Sequence, residues 1–227
     1  MVETAAPPDT RQSLLIAAGE LFAEKGLEGT SVREIVGKAG ATLSAVNYHF
    51  GSKQQLYLEA IRHALHEHIR LGDALANARP DQIANEQDAA DFLYRLVREF
   101  FFNYIAPDQP GWYGRLINRA VIDDHPEAVE TIAEVLRPAD EILRELLLKH
   151  VPNITRQSAD FWNCCIGGQI HYFLMARRVI MRLTGRNAYD RPFIEAAAEY
   201  VAVNSVRALG LPEPNTQDFS GGREVGS

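Results

Sequence analysis

The chain has only two cysteines, and they are neighbours, Cys164 and Cys165. Adjacent residues seldom reach strain-free disulfide geometry, so no cross-linked framework is available and a reducing, cytoplasmic setting is expected. Long apolar runs are missing too. The best candidate, residues 161–183, is interrupted by Asn163, Gln169, His171, Arg177, Arg178 and Arg182, each costly in lipid, so no membrane partner is expected. The opening MVETAAPPDTRQ has neither the basic start nor the apolar stretch of an export signal. Positive charge is also short. Lys and Arg number 23 against 30 Asp and Glu, a net of −7, which gives no support to a polybasic nucleic-acid binder. Strand-period alternation of useful length, internal repeats, a nucleotide-binding glycine loop and a nucleophile elbow are all absent. Enzyme readings therefore have little to stand on, and no cofactor is expected.

What is present is helical periodicity in a chain whose 46% hydrophobic and 23% charged content suits a folded core. Leu14, Leu15, Ala18, Leu21 and Phe22 form a stripe that opens at Asp9 or Thr10 and ends near Lys25-Gly26. Ser31-x-x-Glu34 is a capping box that starts a second helix at about 32–39, with Val32, Ile35, Val36 and Ala39 inward. Gly40 stops it, and Thr42 can cap a third helix of barely two turns ending at Phe50. Ser52-x-x-Gln55 caps a fourth, beginning at Lys53 and running through Leu56, Leu58, Ile61, Leu65 and Ile69. Longer helices are expected at about 85–105, 111–122, 126–149, 155–184 and 192–209, with proline- or glycine-marked breaks between them. The fold class is all-α. A three-helix module at 9–55 is expected to precede a helical-bundle domain at 56–209 and a disordered tail at 210–227.

The helices of 31–53 form a helix-turn-helix, with the turn at Ala39-Gly40-Ala41-Thr42. With Val46 and Phe50 inward, the short third helix offers Ser44, Ala45, Asn47, Tyr48 and His49 on its outer side. That face is rich in hydrogen-bonding groups and nearly uncharged, which suits the donor and acceptor pattern of the DNA major groove. Residues 1–53 hold five basic and six acidic side chains. Within 31–53 only Glu34 opposes Arg33, Lys38 and Lys53, a local +2. Charge alone would not single this segment out.

The ordered stretch TSVREIVGKAGATLSAVNYHFGSKQQLY resembles the TetR family signature: a threonine-led helix, an AG turn, a short recognition helix ending in Y-H-F, then G-S-K-x-x-L-Y. The likeness is strong over about residues 10–60. It implies a homodimer that binds a double-stranded DNA operator through its N-terminal modules, with a C-terminal domain for dimerisation and for a small-molecule effector. By position, Ser44, Asn47, Tyr48, His49 and Lys53 would face DNA, supported by Thr30, Arg33 and Thr42. Leu43 and Asn47 depart from the family pattern, which more often has a polar or basic residue and an aromatic one there. V-N-Y-H-F, with W-Y-G-R-L and H-P-E further on, is similar to a CecR-like branch.

For the larger domain, the resemblance implies that the last two long helices meet the partner subunit. The residues placed there are Ile166, Ile170, Phe173 and Arg177, followed by Phe193, Ala197, Val201 and Ser205, with Gly167-Gly168 permitting close approach. An effector pocket would draw on Phe100, Phe101, Tyr104, Trp112, Tyr113 and Trp162 as an aromatic wall. Arg115, Asn118, Asn163, Gln169 and His171 are its candidate polar anchors. Each aromatic could equally be core. His63, His66, Glu67 and His68 match no metal-site spacing and are expected on a solvated helix face, so no metal is expected. Cys164 and Cys165 are expected to serve as small apolar residues. The alternative to a regulator is a helical small-molecule binding or scaffold protein that keeps this fold without operator recognition.

Overall fold

Local capping chemistry sets the helix starts. Asp9 accepts from the Arg11 amide, Ser31 and Glu34 close the expected capping box, and Asp190 accepts from the Phe193 amide with Pro192 in the first turn. In the computed structural model, which describes residues 9–69, 82–105 and 110–216 (the side chains of 68 and 69 excepted), these signals sit at the ends of α-helices, and no strand occurs among the described residues. In chain order the helices are α1 Thr10–Gly29, α2 Val32–Ala39, α3 Leu43–Phe50, α4 Lys53–Ile69, α5 Glu86–Ile105, α6 Trp112–Ile122, α7 Pro126–His150, α8 Arg156–Met175, α9 Arg177–Leu183 and α10 Arg191–Arg207. The fold is all-α, as expected.

The helices pack into two compact units. The first holds α1–α4, α6 and α7 up to Pro138; the second holds α5, the remainder of α7 and α8–α10. The expected division at residue 55 follows the motif, whereas packing places α4 and α6 in the first unit with α1–α3. The reason is burial: Leu56, Tyr57, Ile61 and Leu65 of α4 are closed off from solvent where α4 packs on α1 and α6. The expected α1 stripe is buried throughout, and Phe22 meets Tyr57 edge-on at 5.1 Å between ring centroids. Gly26, at φ 75°, bends α1 and lets the Arg119 side chain approach. The Arg119 guanidinium then donates to the Glu24 carbonyl at 3.2 Å.

In the second unit α10 lies along α5, burying Phe92, Leu93, Leu96 and Val97 with Ile194, Ala198, Val201 and Ala202. Two expectations are corrected here. The helix expected at 155–184 breaks at Ala176 (φ −89°, ψ 13°) into α8 and α9. Tyr189 explains the break: its hydroxyl donates to the Phe173 carbonyl at 3.0 Å, and the Arg177 guanidinium lies 4.8 Å over its ring. That carbonyl would otherwise serve the Arg177 amide. The disorder expected from residue 210 does not hold as far as residue 216. Arg207 grips the Glu213 carboxylate through two nitrogens at 2.6 and 3.1 Å, and the Asn215 amide donates to Asp91 at 2.8 Å. Leu211 is buried. Residues 217–227 lie outside the described residues.

Candidate DNA-binding interface

The recognition helix α3 is held from one side only. Val46 and Phe50 are buried, while Leu43, Ser44, Asn47 and Tyr48 are exposed, Tyr48 at 85% and Leu43 at 50%. An apolar residue and a large aromatic left this open have no part in the core. His49 is half-buried, its ring edge-on to Tyr48 at 4.9 Å and tilted against Phe50 at 6.2 Å. Thr42 does not cap α3 with its side chain; its hydroxyl pairs with the Ser44 hydroxyl at 2.9 Å. Both hydroxyls are exposed and retain further hydrogen-bonding capacity. Gly40, in the left-handed region at φ 63°, gives the tight stop that α2 needs before α3 begins.

Cations near this face are mostly committed. Lys38 pairs with Glu20 at 2.7 Å and Lys25 with Glu34 at 2.6 Å, whereas exposed Arg33 has no ion pair among the described residues. Glu34 binds Lys25 and the Ser31 amide and hydroxyl, and these hydrogen bonds, that from Lys25 foremost, hold its carboxyl down to about 2. Its contribution is complete above its ordinary value of 4.5 and is lost as pH falls toward about 2.

Two of the expected DNA-facing residues have partners inside the protein. The Thr30 side chain is buried, and its hydroxyl donates toward the carbonyls of Gly26 at 2.8 Å and Leu21 at 3.3 Å. It closes the end of α1. Lys53 turns inward and donates to the carbonyls of Leu27 at 2.8 Å and Thr30 at 3.1 Å. Its ammonium thereby satisfies carbonyl groups at the C-terminal end of α1, where positive charge is favoured. We expect Lys53→Met to lower unfolding free energy by about 1–2 kcal/mol in a urea melt, the part-exposed setting keeping it below the full value of two charged hydrogen bonds. A melt unchanged from the parent would remove this role.

The expected effector residues are divided between the two compact units. Trp112, Arg115 and Asn118 belong to the first unit, and Phe101, Tyr104, Trp162, Gln169 and His171 to the second. Trp112 is core: it lies over Gly19 and stacks on His63 with ring centroids 6.2 Å apart. His63 is therefore half-buried rather than solvated, with burial keeping its pKa below 6.5. His66 is exposed, and the side chain of His68 lies outside the described residues. Asn118 is buried with its Oδ1 unpaired, and Arg115 is exposed. In the second unit Trp162 is buried and its indole N–H donates to the Ser205 carbonyl at 2.8 Å, a core role. Gln169 is exposed. Tyr104 and His171 are joined by a 2.9 Å hydrogen bond, and the Phe100 ring is edge-on to Tyr104 at 5.9 Å; Phe101 meets Phe173 edge-on. Burial pushes the Tyr104 hydroxyl up to about 12 and lowers the His171 pKa, so both are neutral near pH 7.

The residues expected at a dimer interface divide between buried and half-buried positions. Ile166, Ile170, Val201 and Ser205 are buried within the protomer, and Arg177, Phe173 and Phe193 are partly covered by Tyr189, Phe101 and Arg186. Ala197 is half-buried. The opposite side of α8 is the open one. Phe161, Cys164, Cys165, Gly168, Tyr172 and Met175 are exposed in sequence at spacings that keep them on one face, and Val179 and Leu183 of α9 are exposed as well. The cysteines are thus at the surface, not in the core.

Two family models match this sequence. Residues 14–60 match the model for bacterial regulatory proteins of the tetR family, and residues 89–209 match the C-terminal domain of the HTH-type transcriptional dual regulator CecR. The chain belongs to the TetR family. Its body is of the CecR type, in line with the W-Y-G-R-L and H-P-E segments. CecR of Shigella flexneri is 25% identical over 191 residues, 79% of this chain and 82% of that protein. The transcriptional activator FasR of Mycolicibacterium smegmatis is 33% identical over 107 residues, 47% of this chain and 45% of FasR. The transcriptional repressor KstR2 from the same organism is 39% identical over 56 residues, 25% of this chain and 27% of KstR2. The chain thus spans less than half the length of FasR and KstR2. The same fold is found in the fatty acid degradation regulator FadR from Bacillus halodurans, with TM-score 0.64 and 15% identity over 92% of this chain and 100% of that one. A TetR-like transcriptional regulator from Rhodococcus sp. RHA1 has TM-score 0.60 and 20% identity over 91% of this chain and 98% of that one. Among the described residues of this family member, no helix is long and apolar enough to cross a membrane.

Proposed function

We propose that the chain is a ligand-responsive repressor that binds a palindromic operator as a homodimer. The observation that carries this reading is the α3 face: Leu43, Ser44, Asn47 and Tyr48 stand open to solvent while Val46 and Phe50 are buried beneath them. A two-turn helix would not persist in isolation, so the fold maintains it for the surface it presents. Ser44 and Asn47 suit base edges. Tyr48, Arg33 and Thr42 suit the phosphates, with Thr30 and Lys53 holding the scaffold behind them.

Dimerisation through the exposed α8 face supplies the two-fold symmetry that a palindrome requires. Gly168 favours it, since nothing lies within 4 Å of where its Cβ would be and a partner helix could approach closely. The effector would use the Tyr104–His171 pair as its polar anchor with the Phe100 ring against Tyr104, which suits a small, largely apolar molecule with one polar group. Such a molecule must favour the conformation that releases DNA, or it shifts nothing.

Light scattering of the full chain together with titration of duplex DNA from upstream of its coding sequence tests the reading. The expected result is a dimer whose affinity falls steeply and linearly in log–log form with salt. A dimer that retains no duplex at low salt would replace this reading with the binding or scaffold alternative.

A further inference from the structure

Leu43 is the residue the operator reading leaves unexplained. It lies at the first position of α3, it is half exposed, and an exposed leucine at a helix start adds nothing to the core beneath. Asn47 is four residues on, one turn along the same face, and is also exposed. Ser44 and Tyr48 form the adjacent column. The patch carries no charge of its own, since α3 contains no Asp, Glu, Lys or Arg. An uncharged patch of one branched apolar group and one carboxamide has a narrow chemical match among base edges. The bidentate Arg or Lys pairing with guanine and the Asp or Glu pairing with the cytosine amine have no side chain on α3 to make them, and Ser44 beside the patch can meet either kind of base pair. Adenine is read by a carboxamide that both donates and accepts, and the C5-methyl group of thymine by an apolar contact.

We propose that Leu43 and Asn47 together select an A·T-containing step, Leu43 covering a thymine methyl group and Asn47 pairing bidentately with an adenine. The inference rests on the operator reading above and deepens it by naming the bases. Four residues of helix rise about 6 Å. Successive base pairs are about 3.4 Å apart, so the thymine and the adenine contacted lie no more than two pairs apart in each half-site.

The test uses the full-length dimer and a pool of randomised duplexes, from which the retained sequences are recovered. The best is then remade with deoxyuridine for each thymine in turn, which removes the methyl group and leaves base pairing intact. One thymine in each half-site is expected to weaken binding about fourfold on losing its methyl group. Leu43→Ala should erase this thymine-over-uracil preference, and Leu43→Met should keep most of it. Asn47→Ala should abolish the adenine preference one or two pairs away. Both sites are exposed, so thermal melts of the variants should match the parent. Equal affinity for thymine and uracil duplexes at every position, with binding otherwise tight, overturns the methyl contact and leaves the operator reading standing. Retention of no duplex at all overturns both together.

Discussion

Gly19→Ala should destabilise the protein by about 1–3 kcal/mol, and Gly19→Leu by more, because the space over Gly19 is already filled. A Cβ there would overlap the Trp112 ring, well inside any real contact distance. Trp112 cannot retreat easily. It is 4% exposed, stacked on His63 and in edge contact with Tyr113 at 4.3 Å between centroids. Chemical denaturation with tryptophan fluorescence reports on this site, with Trp162 providing a second signal from the other unit. The companion variant Trp112→Leu should lose stability on its own but recover part of the Gly19→Ala penalty, since a smaller side chain admits the new methyl group. Independent, additive losses in the double variant would show that the two residues do not share the contact.

The other large effect is on binding. Tyr48→Ala in both subunits of a dimer should weaken operator affinity about 100-fold, taking roughly one charged hydrogen bond of 1.5 kcal/mol per half-site. Stability should stay within about 0.5 kcal/mol, because Tyr48 is 85% exposed and leaves no cavity. Arg33→Ala should act differently. It removes one cation per half-site, so the slope of log affinity against log salt should become shallower by about two for the dimer. Filter binding across a salt series separates the two variants: one lowers the line, the other also tilts it. Should Tyr48→Ala bind as the parent does while melting normally, its place on the DNA would be lost.

Much of the fold can be read from neighbouring residues because its signals are local. Ser31 and Glu34 are three residues apart, and Gly26 and Gly40 both take positive φ angles, the first bending α1 and the second stopping α2. Where partners are distant in sequence, periodicity misleads. Lys53 looks like a solvated first-turn residue suited to phosphate, yet its acceptors belong to Leu27 and Thr30 on another helix. The break at Ala176 depends on Tyr189, and no local propensity announces it. The outward face of α8 is the least legible from the sequence. Apolar residues occupy both sides of that helix, Ile166 and Ile170 on one and Phe161, Tyr172 and Met175 on the other. Only the packing partners decide which side is inside.

The one-sided attachment of α3 also bears on how such a protein diversifies. Leu43, Ser44, Asn47 and Tyr48 share almost nothing with the core that Val46 and Phe50 join. A duplicated gene could therefore drift at these four codons and acquire new target promoters while every copy still folds. The same separation makes the four positions a natural cassette for engineering. A library randomised there should consist mostly of soluble, well-folded dimers, so selection acts on recognition rather than on survival of the fold.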